Sequence, residues 1–446
     1  MVFVLRGEFM RHTDNLLKFF LSVILFSIYF LGFSNPVQAQ NENDFVANEI
    51  VVKLKNATDL PSVAAQYNLS PQPLDQFGSR PIFRLQILDN SPPPGMASRL
   101  LGDPNSRIIY AEPNYLAQTP EGSGQSWTVG QSWTVGQSWT VGQSWTVGAT
   151  GTSSNLWFRS KIRLEEAHQF TRGAGITVAV LDTGVDRNHY VIAPQLVGGF
   201  DFVDFDDDAS EVGTQGVNPG YGHGTHVAGL VAAVAPQAKI LPVRVLNENG
   251  VGNIWVLAEA LVYAATVDPD GNTATDDKVR VINLSFATRR QTNLLSEIIS
   301  AVTCEDGDDT EDDYCYAEDR KGIAVIAAAG NSGVAVQEYP AAENVPGSLA
   351  VAATDQYDFR AAFSTFGNWV QVAAPGENIR STVPGNRFAS WSGTSMAAPL
   401  VAGKAALIRA RYPDFKAADT TNFIVSKSDS IGGDVQKRIN LYEAVK

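Results

Sequence analysis

Basic residues, histidine and cysteine are all in short supply along this chain. Its 33 Lys and Arg against 47 Asp and Glu leave a formal charge of −14, without the basic patch that a nucleic-acid partner calls for. Two cysteines, Cys304 and Cys315, permit one internal disulfide at most. With only five histidines, chemistry that needs a base near neutral pH has few places to find one. The spacing of an EF-hand is lacking too, although acid gathers at residues 204–211, 268–277 and 305–313. Those clusters read as solvated surface; a structural Ca²⁺ is the alternative, and no metal site is assigned.

What the chain has in abundance is apolar residues, 44% of 446, enough for a large core and for two or three domains. An apolar run over residues 19–33 is preceded by Arg11 and Lys18 and followed by Val37-Gln38-Ala39. That is the layout of a secretory signal peptide over residues 1–39; an uncleaved anchor is the alternative and the only route to a membrane. Export to a secreted or periplasmic location makes a Cys304–Cys315 disulfide the leading reading, with two independent thiols as the other. Residues 46–118 alternate apolar and polar positions at 49–54 and 82–87 and add an apolar run at 108–115, as a small α+β domain would. Next, Gln-Ser-Trp-Thr-Val-Gly occurs four times from Gln125 to Gly148. Identical hexads do not suit the unequal neighbourhoods of a core, so residues 119–153 read as a linker; binding of a partner or sugar by its tryptophans is the alternative. From 154 to 446, apolar runs at 176–181, 240–246, 279–284, 323–328, 349–353 and 370–373 alternate with helical stretches. This pattern predicts an α/β fold, a doubly wound parallel sheet covered on both faces.

Within that last segment, Gly393-Thr394-Ser395-Met396-Ala397-Ala398-Pro399 sets a serine among small residues at a helix start. Small neighbours admit a substrate backbone, and a helix N-terminus offers N–H groups and a positive dipole end to a developing oxyanion. Such a serine needs a base. Of the histidines, only His223 and His226 lie in a small-residue setting, followed by a tightly packed helical run. Paired histidines also suit a metal, but the helix supplies no further ligand. His223, at the turn, is the better base, and His226 reads as a structural residue one turn in. The apolar run 176–181 delivers Asp182 into Thr183-Gly184, where a carboxylate would orient the imidazole; alone, it would read equally as a strand-ending turn residue.

The order Asp182, His223, Ser395, with Val180-Leu181-Asp182-Thr183-Gly184 and His223-Gly224-Thr225-His226-Val227-Ala228-Gly229 around the first two, resembles the subtilisin-like serine proteases, or subtilases. The resemblance implies a subtilisin-like catalytic domain that hydrolyses polypeptides through an Asp-His-Ser triad and needs no cofactor for the chemistry. It implies an oxyanion donor at Asn331, after Ala327-Ala328-Ala329-Gly330. Residues 46–118, ending in Tyr110-Ala111-Glu112-Pro113-Asn114-Tyr115, resemble the subtilase propeptide, which assists folding and blocks the cleft as an intramolecular inhibitor. Substrate would add as a strand between residues 250–253 and 284–287, contacting Gly250, Gly252, Ser285, Phe286 and Ala287, the last standing where glycine is common. Glu338, before Tyr339-Pro340-Ala341, stands where the family often has a small residue. It reads either as a carboxylate on the S1 floor that selects basic P1 side chains or as a surface glutamate facing water. The calcium loop that subtilisins insert after the histidine helix has no room here, so any Ca²⁺ must use the acidic stretches. The expectation is a secreted endopeptidase made as a zymogen; the rival is a catalytically inactive exported binding protein on the same scaffold.

Overall fold

The structure, a computed structural model, describes residues 44–120, 156–269, 278–304, 315–316 and 321–446. The signal segment 1–39 and the repeats 125–148 lie outside the described residues.

An N-terminal module comprises β1 (Phe45–Leu54), α1 (Leu60–Tyr67), β2 (Asp75–Gln76), β3 (Ile82–Gln86), α2 (Pro93–Leu101) and β4 (Ile108–Gln118). Its strands lie antiparallel in the order β2-β3-β1-β4. Successive residues of a strand face opposite ways, and β1 uses both faces. Ile50, Val52 and Leu54 pack with Val63 of α1 and Leu100 of α2, whereas Val51 joins the core of the larger domain.

The larger domain is built on β5 (Thr177–Asp182), β6 (Phe200–Asp201), β7 (Lys239–Arg244), β9 (Val279–Leu284), β10 (Ala324–Ala328), β11 (Ser348–Thr354), β12 (Val372–Pro375), β15 (Ser428–Ser430) and β16 (Lys437–Ile439). The sheet order is β15-β16-β12-β11-β10-β9-β5-β7-β6, parallel except between β15 and β16. Its main helices are α3 (His223–Val234), α4 (Ile254–Thr266), α5 (Asn293–Thr303), α6 (Thr394–Arg411) and α7 (Ala417–Ser426). Every residue of β5 is buried, because both faces of the sheet are covered. Val178 and Val180 share a core with α3 and α6, and Ala179 and Leu181 share another with α4 and α5. This is the doubly wound architecture expected from the apolar runs. A separate hairpin, β13 (Ile379–Val383) with β14 (Arg387–Trp391), packs beside α3.

The module sits on α4 and α5 by capping them. Glu112 accepts hydrogen bonds from the Asn293 N–H (2.7 Å), the Asn293 amide (2.9 Å) and the Leu294 N–H (2.9 Å) at the start of α5. Asn114 Oδ1 accepts from the Trp255 N–H (3.3 Å) in the first turn of α4. First-turn N–H groups have no partner within their own helix, and a carboxylate there also meets the positive end of the helix dipole. Lys53 (2.9 Å) and Arg80 (3.1 Å) of the module pair with Glu297 of α5. Just past α5, Cys304 and Cys315 form a disulfide, their Cα atoms 5.7 Å apart. Among the described residues no helix is long and apolar enough to cross a membrane.

Candidate active site

Parallel strands end at one edge of the sheet, and the candidate residues gather there. Asp182 closes β5 and is fully buried. Its Oδ1 accepts the Thr183 N–H at 2.8 Å and lies 2.7 Å from His223 Nδ1. An ionised carboxylate only accepts, so Nδ1 carries the hydrogen and Nε2 is the ring's basic atom. The close approach of α3 to β5 depends on glycine. A Cβ at Gly224 would collide with the Gly184 carbonyl, and Gly184 itself turns with φ +103°.

A second carboxylate braces this pair. Glu211 accepts from Thr183 Oγ1 (2.7 Å), Thr225 Oγ1 (2.7 Å) and the Thr225 N–H (3.1 Å), while Thr183 Oγ1 accepts the Gly224 N–H (2.9 Å). The residue as a whole is half-buried, but its carboxylate is turned inward. Burial pushes its pKa up to about 7; the threonine hydrogen bonds pull against that, and the charge of Asp182 adds to it. Sequence reading missed this role, since Glu211 closes an acidic cluster that looked like solvated surface. Within the same cluster, Asp204 pairs with Arg244 at 2.5 Å.

His226 is held elsewhere. Its Nε2 meets the Ile379 and Ala389 carbonyls (3.2 and 3.3 Å), and its ring stacks on Trp391 at 4.5 Å. Burial, with His223 nearby, lowers its pKa to about 3. It is a neutral packing residue of α3, and the hairpin supplies its acceptors.

Ser395 lies in the first turn of α6 with no exposed surface. Its Oγ donates to the Ser285 carbonyl (3.3 Å), and Ser285 Oγ donates to the Ser395 carbonyl (3.2 Å). The second bond follows from Pro399. A proline four residues along has no N–H for that carbonyl, and Ser285 supplies the missing donor. Asn331 follows β10 through Gly330, which has φ +102°. Its Oδ1 accepts both the Thr394 N–H and the Thr394 Oγ1 at 2.9 Å, which fixes the orientation of the amide next to Ser395.

The groove residues form two walls. On one side β8 (Val251–Asn253) pairs antiparallel with the end of β4, Ala117 opposite Gly252 and Gln118 opposite Val251. On the other, Gln118 and Ala287 exchange N–H to carbonyl bonds of 3.0 and 2.8 Å, while the Thr119 N–H turns back to the first wall and donates to the Gly250 carbonyl at 2.9 Å. The chain segment expected to start a linker at 119 therefore stays hydrogen-bonded in the groove at Thr119. Phe286 is buried in the core behind Ala287. Glu338 is 4% exposed, accepts from Thr365 Oγ1 at 3.1 Å and lies so close under Gly330 that a Cβ there would strike its carboxylate. It is not a glutamate facing water. Among the described residues no group of three or more His, Cys, Asp or Glu is placed to hold a metal ion, and the acidic stretch 305–313 lies outside them.

Residues 173–440 match the Subtilase family, peptidase S8. Thermitase from Thermoactinomyces vulgaris is 37% identical over 308 residues, covering 66% of this chain and 97% of thermitase. Subtilisin Savinase from Lederbergia lenta is 35% identical over 286 residues, 62% of this chain and 92% of that protein. In fold, the chain is similar to fervidolysin from Fervidobacterium pennivorans, described as a keratinolytic enzyme related to subtilisin, with a TM-score of 0.68 at 21% identity over 90% of this chain and 61% of that one. A family match spanning more than half the chain, around a buried aspartate–histidine pair and a serine at a helix start, makes this chain a member of the subtilase family and a serine endopeptidase.

Proposed function

We propose that the chain is the zymogen of an exported endopeptidase in which Ser395 is the nucleophile, His223 the base, Asp182 its orienting partner and Asn331 an oxyanion donor. The observation that carries this reading is the backbone of residues 116–119, held as an added strand between β8 and Ala287. A site that grips an extended chain by its main chain recognises polypeptide. Ser395 and His223 have no exposed surface in this arrangement, which suits an N-terminal module acting as an intramolecular inhibitor.

His223 Nε2 takes the Ser395 proton as Oγ attacks the scissile carbonyl. Asp182, 2.7 Å from Nδ1, holds the ring in the required tautomer and stabilises its cation. The Asn331 amide and the Ser395 N–H, at the start of α6, receive the oxyanion; losing one such donor costs about 10²- to 10³-fold in turnover, the figure known for subtilisin itself. His223 then passes its proton to the leaving amine, and water repeats the sequence on the acyl-enzyme. Side chains and backbone donors carry every step. Ser285, Ala287, Gly250 and Gly252 line the backbone of the substrate, with Phe286 packed behind them and Glu338 beneath the S1 side.

A fluorophosphonate probe tests the assignment, because only an activated serine reacts with it. Matured protein is expected to label on Ser395, and the Ser395→Ala chain to give neither label nor peptide hydrolysis. Unlabelled mature protein, or full activity in the variant, would show that Ser395 is not the nucleophile.

A further inference from the structure

We infer that Glu211 is a proton-operated brace on the triad: ionised, it ties the segment of Asp182 to that of His223, and on taking up a proton it lets go and hydrolysis stops. This role depends on the protease reading above and adds a positioning residue to it, because Glu211 acts on the reacting atoms only through other residues. Two threonines transmit its hold. Thr183 Oγ1 accepts the Gly224 N–H and Thr225 Oγ1 accepts the Asp186 N–H, both at 2.9 Å. Each hydroxyl has a single hydrogen, and each gives it to Glu211 at 2.7 Å, Thr183 to Oε1 and Thr225 to Oε2. The Thr225 N–H also points at Oε2, from 3.1 Å. Thr183 follows Asp182 directly and Thr225 stands two residues past His223, so one carboxylate joins the end of β5 to the first turn of α3. The 2.7 Å contact of Asp182 with His223 bridges the same two elements.

A carboxylate accepts hydrogens at both oxygens, whereas a carboxyl group must donate from one of them. A proton on Oε2 meets the two hydrogens that Thr225 already directs there, and a proton on Oε1 meets the one from Thr183. Either way a threonine is displaced and its segment is freed to move. Around Glu211 stand Asp182 of β5, Asp186 in the turn after it and Tyr221 ahead of α3, with His223 beyond Asp182 and Arg387 of the hairpin beyond Tyr221. Burial is the main cause that brings the Glu211 pKa up to about 7, so the brace titrates close to neutrality. His223 must also be unprotonated to act as base, and two protonations therefore shut the enzyme down.

The test measures kcat/KM of matured protein on one peptide substrate from pH 5 to pH 9. Expected for the native enzyme is an acid limb that reaches a slope of two in log kcat/KM against pH, one proton for His223 and one for Glu211. Glu211→Gln keeps the size of the side chain and cannot take the proton. It should be less active at pH 9 and fall with a slope of one, so that between pH 8 and pH 5 the native enzyme loses about a hundredfold more than the variant. Thr225→Val takes a hydrogen away from the carboxylate and should move the limb to higher pH, while Thr225→Ser, which keeps the hydroxyl, should leave the limb in place. That pair decides the matter if Glu211→Gln does not fold. A native slope of one, a slope of two retained by Glu211→Gln, or a limb unmoved by Thr225→Val would overturn the brace and leave the protease reading intact. Absence of Ser395-dependent hydrolysis at every pH would instead sink the protease reading and the brace with it.

Discussion

Glu338 gives the sharpest expectation about substrate choice. Its neighbour Tyr339 exchanges backbone hydrogen bonds with Thr288 (2.7 and 2.8 Å), directly after the groove residues 284–287. The carboxylate reaches under Gly330, next to Asn331, and is anchored by Thr365 at 3.1 Å. In the proposed site it thus lies beneath the S1 side, with 4% of the residue exposed. Where the carboxylate faces the pocket in its ionised form, the cost of taking it out of water is already met by the fold. A Lys or Arg at P1 has only its own desolvation to offset, against a charge-assisted hydrogen bond worth about 1.5 to 3 kcal/mol. At about 1.4 kcal/mol per decade, the preference over leucine in kcat/KM is roughly ten- to a hundredfold. Matched peptide substrates with Arg, Lys, Leu or Phe at P1 measure it directly. Glu338→Gln keeps an oxygen for Thr365 and removes the charge, so it should erase the basic preference and leave leucine substrates nearly unchanged. A native enzyme that favours Phe or Leu, with Glu338→Gln indistinguishable from it, would refute the reasoning.

Two further outcomes follow from the buried carboxylates. Asp182→Asn places an amide N–H₂ against His223 Nδ1 and favours the wrong tautomer, so kcat should fall by about 10⁴-fold with KM little altered; a loss below tenfold in steady-state kinetics would contradict the orienting role. In the interface of the N-terminal module, Glu259 of α4 is pushed up to about 8 by burial, then by the charge of Asp75 and its hydrogen bond, with Trp255 and Arg84 opposing. Because docking raises this pKa, the contribution of Glu259 to docking is complete below the ordinary carboxyl range, declines as pH rises toward 8 and is gone above it. Hydrogen exchange at the module surface of the uncut Ser395→Ala chain, read between pH 5 and pH 9, should show this loosening, and Glu259→Gln should flatten it; a pH-independent interface would refute it.

The parallel sheet was legible because its strands are buried on both faces and so read as unbroken apolar runs. Residues 176–181 and 279–284 foretell β5 and β9 to within a residue. The hairpin of β13 and β14 was not legible, since Arg380, Ser381 and Arg387 interrupt any apolar run, yet its carbonyls hold His226. Ser395 and His223 stood out by their small-residue settings, which betray backbone crowding, Asp182 stood out by closing an apolar run, and Asn331 was reached only through the family resemblance. Glu211 had no such setting: an acid in an acidic loop carries no local sign that two threonines, 14 and 28 residues away, turn it inward. Glu112 and Asn114 belong to the ending that resembles the propeptide, but their capping of α5 and α4 was not legible, because their partners lie 181 and 141 residues further along.

In the proposed zymogen, those two residues also connect folding with inhibition. Backbone N–H groups in the first turns of α4 and α5 have no intrahelical acceptor, and during folding they would face a half-formed core. β4 brings Glu112 and Asn114 to them, and the same strand continues through Gln118 and Thr119 into the groove. The capping and the blocking are therefore two stretches of one hydrogen-bonded ladder. A cut anywhere beyond Thr119 would sever the module from the catalytic domain without breaking any of these bonds, so release would need a separate loss of affinity. Once the module leaves, water replaces Glu112 and Asn114 at helix starts that now lie on the surface, where an unpaired N–H costs little. A cap supplied from outside the domain can thus be essential while the core assembles and dispensable afterwards, provided that the groove lets go of its cut end.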